Sequence, residues 1–322
     1  MSRLAPPANA KLPAIISAAD EAAQERFLEF FAAQIRNANT RRAYVGDVER
    51  FLAWTAGHGV RRLTEIRPLH VAGYVELLTR TRSAPTTKRC LAALRGLFDW
   101  LVIGRVLAVN PAASVRGPKY SQREGKTPIL TTEEARALLD GIDTRTLSGL
   151  RDRALIATML LSFARVSAVT GMNVEDFFAR GRRYRVRLHE KGGKLHEMPC
   201  SHRLETCLLE WLNASGLKSE PTAPLFPAFR RRPGDTAAVL TRNHLRQSNA
   251  YEIVQRHALA TGLPRGIGNH SLRGTGITSF LTNNGSLEKA QRMANHVDLR
   301  TTQLYDRRSK AVTLEDVERT LL

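Results

Sequence analysis

Four residues near the C-terminal end carry the types and spacing of a phosphoryl-transfer site. His270 and Arg273 stand three positions apart, and His296 and Tyr305 follow, nine apart. Positions three apart share a face of a helix, so an imidazole and a guanidinium would point to one place. A guanidinium grips a phosphate through two parallel N–H donors and stays charged. A phenol becomes a nucleophile toward phosphorus when cations hold the phosphate and a nearby group manages the proton. His270 follows Gly266 and Gly268 and reads as a helix start, where the backbone itself favours an anion. Asn295 precedes His296 and, among non-glycine residues, best tolerates a left-handed backbone. Thr301 and Thr302 lie between His296 and Tyr305.

Two upstream segments extend the pattern. Ser162-Phe163-Ala164-Arg165-Val166-Ser167 places an arginine directly after a strongly apolar run, and Glu190-Lys191-Gly192-Gly193-Lys194 places two lysines around a glycine turn. The ordered set resembles the signature of the tyrosine recombinases, the phage-integrase family, of the Xer-like site-specific kind. The resemblance is strong over 265–306 and weak over the first 120 residues.

That resemblance implies six catalytic residues: Arg165, Lys191, His270, Arg273, His296 and Tyr305. Tyr305 would be the nucleophile, Arg165 and Arg273 the clamps on the scissile phosphate, and Lys191 the acid for the departing 5′-oxygen. Lys194, three residues on, is the alternative lysine and otherwise a DNA contact. Two positions depart from the family's pattern. Ala168 stands where an acidic residue often follows the first arginine by three, and Gly274 stands where histidine often follows the second arginine. Neither is among the six, so an active enzyme is expected.

The implied reaction is site-specific cutting and rejoining of DNA through a covalent 3′-phosphotyrosyl link, serving integration, excision or resolution of a DNA element. It needs no cofactor and no metal. The implied partners are double-stranded DNA at specific sites and further copies of the chain, a tetramer on two sites, with no membrane and no small-molecule substrate. The implied location is the cytoplasm of a prokaryotic-type cell, with the nucleoid. The rivals are a topoisomerase-like DNA relaxase, a catalytically silent DNA-binding protein of the same fold, and a metal-dependent nuclease. The nuclease lacks ligands at convincing spacing.

Bulk composition agrees with a polyanionic partner. The 322 residues carry 49 Lys+Arg against 30 Asp+Glu, a net charge of +19. The excess is spread: 18 basic against 9 acidic residues in 1–120, and 31 against 21 in 121–322. A two-part clamp on DNA needs cations in both parts. Arg41, Arg42, Lys88, Arg89, Arg95 and Lys119 are the candidate DNA contacts of the first part. Cys90, Cys200 and Cys207 are widely spaced and read as reduced thiols. No signal-peptide core and no apolar run of membrane length is present.

The elements that must position these residues are mostly helical. A loose arm is expected over 1–17, then a helix over 18–35 with Phe27, Phe30, Phe31 and Ile35 at helical spacing. Asn39 and Thr40 offer caps for a second helix ending at Gly57 and Gly59; Pro68 opens a third and Thr86 lies near the start of a fourth. These four make a helical DNA-binding domain over 18–110, which the resemblance makes a SAM-like, core-binding domain. Residues 111–128 read as a basic linker. A catalytic α+β domain follows over 129–322, opened by the helix start at Thr131-Thr132-Glu133-Glu134. Arg183–His189 and Leu195–Pro199 form a β-hairpin around Gly192-Gly193. Helices are expected at 203–213, 241–261, 271–283, 287–294, 300–307 and 313–321, the last docking on a neighbouring protomer. The whole is mainly α with a small antiparallel sheet, and the resemblance gives the two domains the form of a C-shaped DNA clamp.

Overall fold

The structure is a computed structural model, and it describes residues 12–120, 125, 127–190, 193–230 and 238–308. The chain divides into two compact units, Met1–Ser121 and Gln122–Leu322.

The first unit is helical. A short helix α1 (Ala14–Ser17) precedes α2 (Glu21–Glu29), which continues through a wider-wound turn, Phe30–Gln34; α3 (Ala38–Gly57), α4 (Pro68–Thr81) and α5 (Ala84–Ile103) follow. The apolar spacing read from the sequence is the buried face. Phe27, Phe30, Phe31, Val48, Phe51, Leu52, Val71, Tyr74, Leu91, Leu94, Leu97, Phe98 and Leu101 form one core. Two start points differ from expectation. Ile15 and Ile16 are buried in that core, so packing begins at α1 and not at Ala18. Asp20 then starts a new helix by accepting from the Ala23 N–H at 2.8 Å. The cap of α3 is Asn37, whose side chain accepts from both Asn39 and Thr40 N–H at 3.0 Å; those two residues are capped, not capping.

The second unit is α+β. Thr131 and Glu134 exchange the reciprocal bonds of a capping box at the start of α6 (Thr132–Asp140). Next come the apolar α7 (Leu147–Leu161) and the short α8 (Val166–Thr170). Strands β1 (Phe177–Arg180), β2 (Arg183–His189) and β3 (Leu195–Pro199) make an antiparallel sheet in that order, so the expected hairpin gains a third strand. After α9 (His202–Ser215), strands β4 (Pro227–Arg230) and β5 (Val239–His244) pair antiparallel. The helix expected over 241–261 therefore starts late: α10 is Gln247–Ala260. Val239, Leu240 and Thr241 suit an extended ribbon, and Leu240 packs on the core beside its partner Phe229. The unit ends in α11 (Asn269–Thr282), α12 (Leu287–Met293) and α13 (Leu299–Gln303). The expected docking helix at 313–321 lies outside the described residues.

Among the described residues no helix is long and apolar enough to cross a membrane. Cys90, Cys200 and Cys207 are all free and buried.

Candidate active site

Arg165 stands at the N-terminal end of α8, after a sharp turn at the end of α7 where Phe163 takes a left-handed φ of 55°. The turn aims the Phe163 carbonyl at Arg273, whose guanidinium donates to it. The second terminal nitrogen of Arg273 donates to the Ala294 carbonyl at 2.5 Å. Ala294 precedes Asn295, which takes the left-handed φ of 48° that its residue type permits. Two irregular backbone points thus fix one fully buried guanidinium, and Arg273 is 1% exposed. Burial, then the charge of Arg165, lowers its pKa to about 10, so it remains a cation at neutral pH.

His270 lies in the first turn of α11, with Gly268 at the N-cap, as its glycine neighbours suggested. Its Nε2 is 2.9 Å from the Tyr305 hydroxyl. Its pKa is lowered, first by burial, then by the Arg273 and Arg165 charges. His296 is 9% exposed and lies nearly parallel to the Tyr305 ring, at 14° with centroids 6.1 Å apart. Its Nδ1 is 2.9 Å from the Thr302 hydroxyl. Burial first, then Arg273 and Arg165, lowers the pKa of His296 to about 3, so both imidazoles are neutral at neutral pH.

Tyr305 follows α13 in a turn and not within a helix, with its N–H on the Thr302 carbonyl at 2.9 Å. Its carbonyl accepts from the Thr278 hydroxyl on α11 at 2.8 Å. Gly125, near the start of the second unit, takes part: its N–H donates to the Leu304 carbonyl at 3.0 Å. Tyr305 is 5% exposed, and burial raises its pKa against the pull of Arg273 and Arg165. The ring lies beside Gly274. A Cβ there would stand 3.0 Å from Tyr305 Cε1 and 2.7 Å from Ile129 Cδ1.

The structure thus gathers Arg165, His270, Arg273, His296 and Tyr305. Lys191 lies outside the described residues. Lys194 is exposed, and its carbonyl accepts from the Glu190 N–H at 2.8 Å, at the neck of the hairpin. The hairpin is held toward the site by His196, whose Nε2 is 3.0 Å from the Met293 carbonyl. Three residues have parts in the site that the sequence reading did not assign to them. Thr302 orients His296, Gly274 seats Tyr305, and the buried Glu190 pairs with Arg165 at 2.5 Å. Glu190 had one visible signal: an acid directly before the lysine-glycine turn, in a chain whose position 168 is alanine.

In the first unit, Lys88, Arg95 and Lys119 line one cleft with Arg116. Arg95 also ties down the Ala112 and Val115 carbonyls, and Arg41 caps the Ile35 carbonyl with Nε at 3.0 Å and a terminal nitrogen at 2.8 Å. Arg89 pairs with the buried Asp47 at 2.8 Å, as does Arg50 at 2.6 Å. Arg42 is exposed. Several of the candidate cations are therefore also structural ties.

Residues 128–311 match the Phage integrase family, and residues 25–103 match the Phage integrase N-terminal SAM-like domain. Tyrosine recombinase XerC of Pelobacter propionicus is 30% identical over 270 residues, covering 83% of this chain and 84% of that protein. Tyrosine recombinase XerD of Listeria monocytogenes is 25% identical over 299 residues, covering 91% and 96%. Among solved structures, the XerH site-specific recombinase bound to its difH substrate superposes with a TM-score of 0.67 at 21% identity, covering 94% of this chain and 84% of that one. A lambda integrase tetramer bound to a Holliday junction gives 0.67 at 15% identity, covering 90% and 79%. The structural likeness establishes the fold. The family match covers more than half of the chain, over the segment that builds the Tyr305 pocket, and on that ground the chain belongs to the phage integrase family, the tyrosine recombinases.

Proposed function

We propose that this protein recombines DNA at specific sites, with Tyr305 as the nucleophile. The single observation that carries the assignment of roles is the contact between the Tyr305 hydroxyl and His270 Nε2, 2.9 Å, beside two guanidiniums. The Tyr305 oxygen attacks the scissile phosphorus and the phenolic proton passes to His270. The bond from phosphorus to the 5′-oxygen breaks, and that oxygen takes a proton from Lys191, with Lys194 as the second choice. Arg165 and Arg273 stabilise the charge on the non-bridging oxygens. His296 adds a donor from Nε2 if the Thr302 hydroxyl donates to Nδ1. The 5′-hydroxyl of another strand then attacks the 3′-phosphotyrosyl link and frees the phenol. The link conserves the energy of the broken bond, so rejoining needs no nucleotide hydrolysis.

The cations carried by both units support binding to duplex DNA. XerH is seen bound to a difH substrate and lambda integrase as a tetramer bound to a Holliday junction. We extend both features to this chain: a tetramer on two sites, coupled through residues 313–321 in a heterologous ring. On this reading it acts on chromosomal or element-borne DNA, in the cytoplasm with the nucleoid.

The test is covalent capture on nicked duplexes with randomised arms, in EDTA, followed by sequencing of the trapped DNA. The parent should yield an adduct on a defined sequence, and Tyr305→Phe should yield none while binding the same DNA. Adduct from the Phe protein removes Tyr305 as nucleophile. Relaxation of any supercoiled plasmid without sequence preference favours a topoisomerase. A requirement for added magnesium favours a nuclease.

A further inference from the structure

We infer that Glu190 is the positioning carboxylate of Arg165, in place of the acidic residue that this chain lacks at Ala168. The inference rests on the recombinase reading and adds one residue to its machinery. Ala168 is 1% exposed, packed in the core of the second unit one helical turn beyond Arg165. It offers the guanidinium neither charge nor acceptor. Glu190 supplies both from a different element, the end of β2. Its side chain is 4% exposed and bonds one terminal nitrogen of Arg165 at 2.5 Å, while Arg165 itself is 39% exposed. A buried carboxylate is costly without a cation, so this pair is held from the Glu190 side. The bond uses one N–H of five, and the remaining fork stays available to a phosphate.

The same residue closes the hairpin. Its N–H donates to the Lys194 carbonyl at 2.8 Å, and its carbonyl accepts from the Gly193 N–H at 3.2 Å. Among the described residues, Glu190 is therefore bonded both to Arg165 and to Gly193 and Lys194 at the neck of the hairpin. Its charge also tempers the pocket. Arg165 and Arg273 beside two neutral imidazoles give two positive charges, and Glu190 leaves one. Loss of Glu190 should therefore spare attraction of DNA and damage the geometry of the clamp.

The test is a double-mutant cycle on the nicked substrate recovered by capture, with Glu190→Gln, Arg165→Lys and the double variant. Single-turnover cleavage should fall about tenfold or more in Glu190→Gln, with DNA affinity within about twofold of the parent. In the Arg165→Lys background the same change should cost less than about twofold, because residues acting through one another are not additive. An equal loss in both backgrounds, or cleavage within about twofold of the parent in Glu190→Gln alone, overturns the inference. Glu190→Asp replaces it if the Gln protein does not melt cooperatively. A parent that forms no Tyr305-dependent adduct defeats the recombinase reading instead. The ion pair is then read without DNA from the nitrogen-15 resonances of the Arg165 side chain. Guanidinium rotation should be hindered in the parent and freed in Glu190→Gln, and free rotation in the parent overturns the inference.

Discussion

The Tyr305 hydroxyl and His270 Nε2 are 2.9 Å apart, on elements separated by 35 residues in sequence. Burial holds the phenol's pKa above its ordinary value and lowers that of the imidazole. The pair is therefore a neutral phenol beside a neutral base at pH 7, the state a proton transfer must start from. His270→Gln can keep a hydrogen bond but cannot take the proton, and its cleavage should drop by about 10²–10⁴. Because the His270 pKa is lowered from 6.5, the half-maximal rate of cleavage at subsaturating DNA should lie below pH 6.5. A half-maximal rate at or above 6.5 would show that this imidazole is not the base.

Arg273→Lys tests geometry against charge. The guanidinium spans two carbonyls, Phe163 and Ala294, fixed by left-handed turns at residues 163 and 295. An ammonium on a single stem cannot hold both and still present a fork to phosphate. We expect cleavage to fall roughly 100-fold, the scale of losing one preorganised donor. A loss under about threefold would mean that charge alone suffices.

Much of this site was legible in the sequence because its residues sit at fixed offsets on local elements. His270 and Arg273 share one helix, and Asn295 declared its backbone by type. What stayed hidden depends on contacts between distant segments. Glu190 meets Arg165 across 25 residues, and nothing in either segment alone says which acid serves which base. The two helix-start errors, at Ala18 and Asn39, arose because a cap is decided by which side chain reaches the free N–H groups. The strand β5 was hidden because 241–246 can be read at helical spacing until β4 supplies a partner.

The lowered pKa of His296 makes folding depend on pH. The unfolded imidazole gains a proton below about 6.5, whereas the folded one resists until about 3. The folded pKa is the depressed one, so this contribution is complete above 6.5 and is lost as pH falls toward 3. Each uncompensated proton costs about 1.4 kcal/mol per pH unit. Between pH 6.5 and 5, urea unfolding of the parent should show stability falling with pH, and His296→Gln should reduce that slope by about one proton. Equal slopes in the two proteins would mean that His296 titrates normally when folded.

Gly274→Ala sets two opposing magnitudes against each other. In a helix interior, replacing glycine by alanine ordinarily stabilises by about 0.5–1 kcal/mol. Here the new methyl would stand 2.7 Å from Ile129 Cδ1 and 3.0 and 3.2 Å from two carbons of the Tyr305 ring. Overpacking of that kind costs about 1–3 kcal/mol, so the clash should outweigh the gain. The Tyr305 ring is the neighbour with the most to lose by moving, since its oxygen meets His270 and, in the proposed mechanism, the phosphorus. A nucleophile displaced by a fraction of an ångström should slow cleavage about 10–100-fold with DNA affinity unchanged. Gly274→His, the residue often found there in the family, should be worse in this chain, because the bulk enters the same space. A Gly274→Ala protein that melts higher and cleaves at the parental rate would show that the ring yields freely and that Gly274 does not set its position.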